Sequence, residues 1–200
     1  MAKALNKNRI LSSKIALIST VIIVIFSRQY WPEESAYHEV FEIIGVTLVS
    51  ICAMGRIYAT AFLGGFKNEV LVTHGIYSLL RNPLYFFTLI GIIGISLISN
   101  HISIMIGLPL FFGVLYSGLI NREQKFLEEK FGDEFLDYKK NVYALVPNFA
   151  NYHAPSSIEV NPKFITRAFV DAIWWLSALP IIEFAEYLQY EHIVPVFFVS

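Results

Sequence analysis

The stretch NPLYFFTLIGIIGISLISNHISIMIGLPLFFGVLYSGLIN, residues 82–121, contains forty residues without one Lys, Arg, Asp or Glu. A helix rises 1.5 Å per residue, so about 20 apolar residues cross a hydrocarbon core about 30 Å thick. Forty residues suffice for two crossings, and the polar pair Asn100-His101 is the natural place for the turn. Gly107 and Pro109 are expected to bend the second helix, which neighbouring helices can tolerate. The stretch therefore predicts a transmembrane helical hairpin.

Three other apolar segments accompany this hairpin. Residues 15–27 are interpreted as a retained membrane anchor, because no small-x-small cleavage site of a signal peptide follows them. Residues 43–66 are apolar except for Arg56, whose side chain is expected to reach the cytoplasmic headgroups. Residues 164–182 carry two charges near their start, one of them Asp171, and each would cost about 2.5–3.5 kcal/mol at the bilayer centre. This fifth segment is expected either to span with its charges at the interface or to lie along the membrane surface.

The composition indicates the same class of protein. Of the 200 residues, 56% are hydrophobic and only 16% are charged, against about 25% charged in typical soluble domains. We therefore predict an all-α, polytopic integral membrane helix bundle with four to five transmembrane helices. The net charge of −1 and the lack of a basic stripe argue against a nucleic-acid partner. Cys52 is the only cysteine, and the five histidines form no HxxxH or HExxH pair, so no metal is expected.

The distribution of charges predicts the orientation. Lys and Arg residues collect before the first apolar segment and again within residues 67–167, whereas residues 29–42 contain acidic and aromatic side chains. Because Lys and Arg accumulate on cytoplasmic loops, the N-terminus and the segments 67–83 and 121–163 are expected to face the cytoplasm.

Polar clusters flank both ends of the hairpin. A helical hairpin returns the chain to the side that it left, so the two clusters are expected to form one pocket at one membrane face. The first cluster contains His74, Gly75, Tyr77, Arg81, Asn82, Pro83 and Tyr85, and the second contains Arg122, Glu123, Gln124 and FGDEFLDYKK, residues 131–140. The apolar side chains between Phe126 and Tyr138 recur near helical spacing, which predicts an interfacial amphipathic helix that closes the pocket.

In these clusters the chain resembles the isoprenylcysteine carboxyl methyltransferase family and, more distantly, the related phospholipid methyltransferases. The first family signature, T-x-G-x-Y-x-x-x-R-[HN]-P-x-Y, is matched by Thr73, Gly75, Tyr77, Arg81, Asn82, Pro83 and Tyr85. The second is matched by Arg122, Glu123, Leu127, Phe131, Gly132, Glu134, Phe135, Tyr138, Lys139 and the close from Val142 to Pro147. The resemblance covers about residues 66–149, the expected catalytic core of a single domain spanning 1–200. Residues 150–200 form a C-terminal extension to which the sequence assigns no chemistry.

The resemblance implies a membrane-embedded methyltransferase that uses S-adenosylmethionine bound in a cytoplasmic pocket. Arg81 can bind the cofactor carboxylate through two parallel hydrogen bonds, and Glu123 can pair with its ammonium group. Gly75 would permit close approach of the backbone to the ligand, and the rings of Tyr77 and Tyr85 offer faces to the adenine or sulfonium.

The candidate site residues follow from this resemblance. The candidate catalytic residues are Arg81, Tyr85 and Glu123. The candidate cofactor-binding residues are His74, Gly75, Tyr77, Arg81, Asn82, Pro83, Tyr85, Glu123 and Gln124. The family often has His where Asn82 stands and a second Glu where Gln124 stands, so the pairing with the cofactor ammonium depends mainly on Glu123.

The methyl acceptor is expected to be lipophilic, such as a membrane lipid, a small lipophilic molecule or a prenylated substrate. A carboxylate acceptor needs no general base, since it is ionised well below pH 7, and the motifs offer only Glu123 and Glu134 as carboxylates. The first expectation is therefore O-methylation of an isoprenylcysteine-type carboxylate. The alternatives are N-methylation of a phospholipid or other lipid amine and, from a different class, a non-enzymatic membrane scaffold or small transporter. The sequence does not predict the oligomeric state.

Overall fold

The computed structural model describes residues 15–64 and 69–199, with the backbone alone at residues 198 and 199. The predicted cytoplasmic N-terminus, residues 1–14, lies outside this range. The helices in chain order are α1 (Ile15–Phe26), α2 (Ala36–Leu63), α3 (Ile76–Leu79), α4 (Pro83–Ile98), α5 (Ile102–Phe131), α6 (Asp133–Asn141), α7 (Pro162–Leu176) and α8 (Ala178–Tyr190). A 3₁₀ turn covers Phe149–Asn151, and the two-residue strands β1 (Ser27–Arg28) and β2 (Phe198–Val199) pair in parallel.

The lengths of these helices confirm the predicted membrane helix bundle. Helices α2 and α5 and the α7–α8 unit, Pro162–Tyr190, are each long and apolar enough to cross a membrane, and α1 and α4 are shorter apolar helices. The fifth apolar segment is therefore long and apolar enough to span, with the boundary between α7 and α8 at Ser177.

The hairpin turn lies where the sequence predicts it. Helix α4 ends at Ile98 and α5 begins at Ile102, with Ser99, Asn100 and His101 fully buried between them. Asn100 adopts a left-handed φ of 50°, a conformation that Asn tolerates better than most residues. Helix α5 then continues ten residues beyond the predicted end at Asn121, to Phe131.

Close packing of α2 against α4 forms the centre of the bundle. A Cβ atom at Gly45 would lie 2.7 Å from the carbonyl oxygen of Gly94, and one at Gly94 would lie equally close to that of Gly45. Such contacts between small residues let helix backbones approach in a membrane, where van der Waals packing drives helix association.

The predicted amphipathic helix between Phe126 and Tyr138 is two helices rather than one. Gly132 has a φ of +54°, which ends α5 and starts α6. This left-handed conformation strains residues that carry a Cβ but not glycine. The break lets α6 turn back, and its Phe135 is completely buried.

Candidate functional site

A cavity of about 420 Å³ opens between the helices at the end of the bundle where α2 ends and α4 begins. Its volume lies within the range of about 300–1,000 Å³ that is usual for small-molecule sites. Its lining includes Arg56 and Leu63 of α2, Val70 to Val72, Tyr77, Arg81 to Tyr85, Thr88, Leu115, Tyr116, Leu119, Glu123, Leu127, Tyr138, Asp171 and Trp175. The hairpin therefore brings residues of both predicted polar clusters to one cavity.

The segment before α4 is held by the loop that closes the second signature. The backbone N–H of Arg81 donates to the carbonyl of Tyr143 at 2.9 Å, and that of Asn82 donates to the carbonyl of Ala144 at 3.1 Å. The Asn82 side chain also donates to Ala144, through Nδ2 at 3.1 Å. The amide of Asn82 thus fixes this segment to the loop, and Pro83 begins α4 directly after it.

Arg81 is the group in this cavity most clearly prepared for a ligand. Its Nε and Nη1 atoms are buried and have no hydrogen-bond partner within residues 15–64 and 69–199. Burial lowers the pKa of the guanidinium, although an Arg stays charged at neutral pH. Because an unsatisfied buried donor costs about 1–3 kcal/mol, a bidentate anion such as a carboxylate would remove an existing penalty.

Tyr138 and Tyr77 form the wall beside Arg81. The hydroxyl of Tyr138 donates to the backbone carbonyl of Tyr77 at 2.6 Å, which connects α6 to α3. Burial raises the pKa of both phenols, and the neighbouring Tyr138 and Glu123 raise that of Tyr77 further. Both hydroxyls therefore keep their protons at neutral pH.

Helix α5 supplies Glu123 and Tyr116 to the cavity. Tyr116 packs against Tyr85 of α4 with ring centroids 5.3 Å apart. Glu123 lies two helical turns beyond Tyr116, on the same face of α5. We name the group of Tyr77, Arg81, Glu123 and Tyr138 the signature end of the cavity.

A charged pair, Arg56 and Asp171, lies farther into the bundle. Nε and Nη2 of Arg56 both contact Oδ2 of Asp171, at 2.8 and 2.6 Å, and Nη1 donates to the hydroxyl of Thr88. The ring of Trp175 lies 5.9 Å from the guanidinium carbon. The expectation that Arg56 reaches the headgroups is therefore wrong: Arg56 turns into the bundle because α7 offers it a carboxylate there.

The depth of this pair follows from helix geometry. Thr88 is five residues after the start of α4, Arg56 seven residues before the end of α2, and Asp171 nine residues after the start of α7. At 1.5 Å per residue these positions lie about 7–14 Å from the helix ends. We name Arg56, Thr88, Asp171 and Trp175 the inner end of the cavity.

Three of the predicted cofactor-binding residues do not line the cavity. His74 packs edge-on against the ring of Phe62, and Gln124 points elsewhere on α5. Gly75 has a φ of +61°, and a Cβ there would lie 2.1 Å from Cε1 of Phe62. Gly75 therefore permits close approach of Phe62 and not of a ligand. The other six predicted cofactor-binding residues line the cavity: Tyr77, Arg81, Asn82, Pro83, Tyr85 and Glu123.

Sequence reasoning missed the inner end. Arg56 and Asp171 are 115 positions apart and lie in segments outside both signatures. One signal was available: each is an isolated charge in an apolar segment, and such charges usually pair with one another.

Comparison with known proteins gives one matching family and three relatives. The family described as phospholipid methyltransferase matches residues 40–134. A cobalt-zinc-cadmium resistance protein of Cupriavidus metallidurans is 32% identical over 70% of this chain and 64% of its own length. A nickel-cobalt-cadmium resistance protein of Alcaligenes xylosoxydans xylosoxydans is 25% identical over 96% of this chain and 90% of its own length. A protein-S-isoprenylcysteine O-methyltransferase of Dictyostelium discoideum is 37% identical over 40% of this chain and 34% of its own length.

The chain thus spans slightly less than two thirds of the Cupriavidus relative. No solved structure matches it. Within the described residues, no three His, Cys, Asp or Glu side chains are grouped so that they could hold a metal ion.

Proposed function

We propose that the protein transfers a methyl group from S-adenosylmethionine to a lipophilic acceptor at the membrane, because residues 40–134 match the phospholipid methyltransferase family. One observation carries the proposal: Arg81, from the first signature, presents buried guanidinium nitrogens that have no hydrogen-bond partner among the described residues, in a cavity that Glu123, from the second signature, also lines. The cofactor would supply an electrophilic methyl group on a sulfonium.

The residues at the signature end fit this cofactor. Arg81 would hold its carboxylate through Nε and the adjacent nitrogens, and Glu123 would face its ammonium group. The rings of Tyr77 and Tyr85 supply faces for the adenine or the sulfonium. Asn82 and Pro83 act indirectly, since they fix the backbone on which Arg81 stands.

The charge distribution supports a cytoplasmic position for the cavity. The cofactor is soluble and cytoplasmic, and the Lys and Arg residues near the cavity favour the cytoplasmic side for this end of the bundle. The acceptor would approach laterally from the bilayer, because the cavity lies between helices whose outer faces are apolar. A cavity of about 420 Å³ is too small for a lipid tail as well as the cofactor, so the tail of the acceptor would remain among the helices or in the membrane.

Two acceptor classes follow from the comparisons. The Dictyostelium relative favours an isoprenylcysteine-type carboxylate, and the family description favours the amine of a phospholipid. The two signatures place no base beside the acceptor, which by itself favours a carboxylate. Asp171, outside the signatures, lines the cavity and could serve as that base, so both classes fit.

The experiment is calorimetric titration of S-adenosylmethionine into the detergent-purified protein, beside Arg81→Ala and Glu123→Ala. The proposal requires saturable binding that each substitution weakens at least tenfold. Lys125→Ala, an exposed charge on the same helix as Glu123, is the matched control and should bind normally. A folded wild-type protein that binds no S-adenosylmethionine would exclude the enzyme and favour a membrane scaffold.

A further inference from the structure

The inner end of the cavity has polar groups that cofactor binding does not use. The charged groups of Arg56 and Asp171 lie in an otherwise apolar part of the bundle, together with Thr88 and Trp175. An ion pair that only joins two helices can be completely buried by the side chains around it. Here both side chains line the cavity, and that of Asp171 keeps 40% of its surface accessible.

The two partners are not equally available to a ligand. Arg56 directs Nε and Nη2 to one oxygen of Asp171, Oδ2, and Nη1 to Thr88. Its side chain is 23% exposed, about half the value for Asp171. Oδ1 of Asp171 accepts no hydrogen bond from the described residues. The pair therefore presents a carboxylate oxygen to the cavity, whereas its cation is already engaged.

We infer that Asp171, held in place by Arg56, receives the methyl acceptor and selects one with a protonated amine over one with a carboxylate. The inference depends on the proposed function and specifies its acceptor. A carboxylate acceptor would meet Asp171 as a like charge, and the positive charge of Arg56 is already neutralised. An ammonium group would meet an anionic oxygen in a cavity that the aromatic residues Trp175, Tyr85 and Tyr116 also line.

The step balances without a further reactant. The carboxylate of Asp171 takes one proton from the ammonium, which leaves a neutral amine with a free electron pair. The amine nitrogen then bonds the methyl carbon as the carbon–sulfur bond breaks, and the sulfur keeps that electron pair as a neutral thioether. The product is a methylated ammonium, and protonated Asp171 returns its proton to water.

The position of Asp171 gives helix α7, in the C-terminal extension, a role in the site. The two signatures alone build the part of the cavity that fits the cofactor, and α7 adds the carboxylate from outside them. A chain without α7 would lack this group and leave Arg56 unpaired.

The first test measures binding without turnover. Octylamine and octanoate are titrated separately into the detergent-purified wild type and into Asp171→Asn, each saturated with S-adenosylhomocysteine so that Arg81 and Glu123 already hold a carboxylate and an ammonium group. The wild type should bind octylamine saturably and octanoate at least tenfold more weakly, and Asp171→Asn should lose at least tenfold in octylamine affinity. Equal binding of both amphiphiles, or no effect of the substitution, would overturn the inference.

The second test measures turnover with radiolabelled S-adenosylmethionine, using phosphatidylethanolamine in nanodiscs and N-acetyl-S-farnesylcysteine as the two acceptors. Asp171→Asn should lower kcat/KM for the amine lipid at least a hundredfold with cofactor affinity unchanged within threefold, and Asp171→Glu should restore part of the rate. Asp137→Asn, which alters an exposed pair with Lys140, is the matched control. Exclusive methylation of the farnesylcysteine, or full activity of Asp171→Asn, would overturn the inference.

A double variant tests whether Asp171→Asn loses activity only because Arg56 is left unpaired and the fold is disturbed. Arg56→Gln with Asp171→Asn leaves no unpaired charge, and it should bind S-adenosylmethionine normally but fail to methylate the amine lipid. If it methylates that lipid at the wild-type rate, Asp171 only joins α7 to α2. Failure of the wild type to bind S-adenosylmethionine would reject the proposed function itself, whatever the amine titration shows.

Discussion

The two ends of the cavity use the same residue types in opposite ways. At the signature end, the guanidinium of Arg81 is buried with Nε and Nη1 unpartnered within the described residues. At the inner end, the guanidinium of Arg56 contacts Asp171 and Thr88. An unpartnered buried charge is costly, whereas a paired one mainly joins the elements that carry it. The comparison supports the proposals that Arg81 binds a ligand and that Arg56 positions Asp171.

The largest effect is expected when a charge is removed from the signature end of the cavity. Glu123→Gln should lower methyl transfer at least a hundredfold and weaken S-adenosylmethionine binding in parallel, because the cofactor ammonium loses its partner. Activity and calorimetry on the same preparation measure both. Unchanged cofactor affinity would show that Glu123 does not bind the cofactor.

The next effect is on stability and belongs to the inner end. Arg56→Met leaves Asp171 without its cation, which we expect to cost about 1–2 kcal/mol, a value reduced from the usual cost of a broken buried pair because Asp171 is 40% exposed. The thermal midpoint in detergent should fall by several degrees. Arg56→Met combined with Asp171→Leu should recover most of the loss, since no charge is then left unpaired. A double variant less stable than either single variant would contradict this account.

These two ends also differ in how far the sequence predicts them. The hairpin of residues 82–121, its turn at Asn100 and the meeting of both signatures follow from hydrophobic length and local motifs. The pairing of Arg56 with Asp171 does not, because it depends on how α7 packs against α2. The contact of Gly75 with Phe62 could not be predicted from the sequence either, because a glycine in a motif does not show whether a ligand or a side chain packs against it.

A smaller effect tests whether packing supports the inner end. A Cβ at Gly91 would lie 2.7 Å from Cζ3 of Trp175 and 2.5 Å from Sγ of Cys52. Gly91→Ala should therefore displace Trp175 and raise the KM for the acceptor about three- to tenfold, with cofactor affinity unchanged. Gly113→Ala is the matched control, because nothing lies within 4 Å of a Cβ there. Equal kinetics for the two variants would show that Trp175 does not contact the acceptor.

The smallest effect concerns the wall of the signature end. Tyr138→Phe removes the hydrogen bond to the carbonyl of Tyr77, which is 2.6 Å long. A loss of about 0.5–1.5 kcal/mol should weaken S-adenosylmethionine binding by up to about tenfold, since the wall beside Arg81 loosens. Because burial raises the pKa of Tyr138, its hydroxyl stays protonated and the wild-type affinity should not fall between pH 7 and 9 through this group. Calorimetry across that range measures both points, and a steep fall in wild-type affinity that Tyr138→Phe abolishes would contradict them.

One measurement tests the division of the cavity most directly: the affinity for S-adenosylmethionine of Arg81→Ala and Asp171→Asn, determined by calorimetry beside the wild type. The account predicts that Arg81→Ala abolishes measurable binding and that Asp171→Asn keeps the wild-type affinity within threefold. Equal loss of binding in both variants would show that the cofactor occupies the whole cavity and would contradict separate cofactor and acceptor ends.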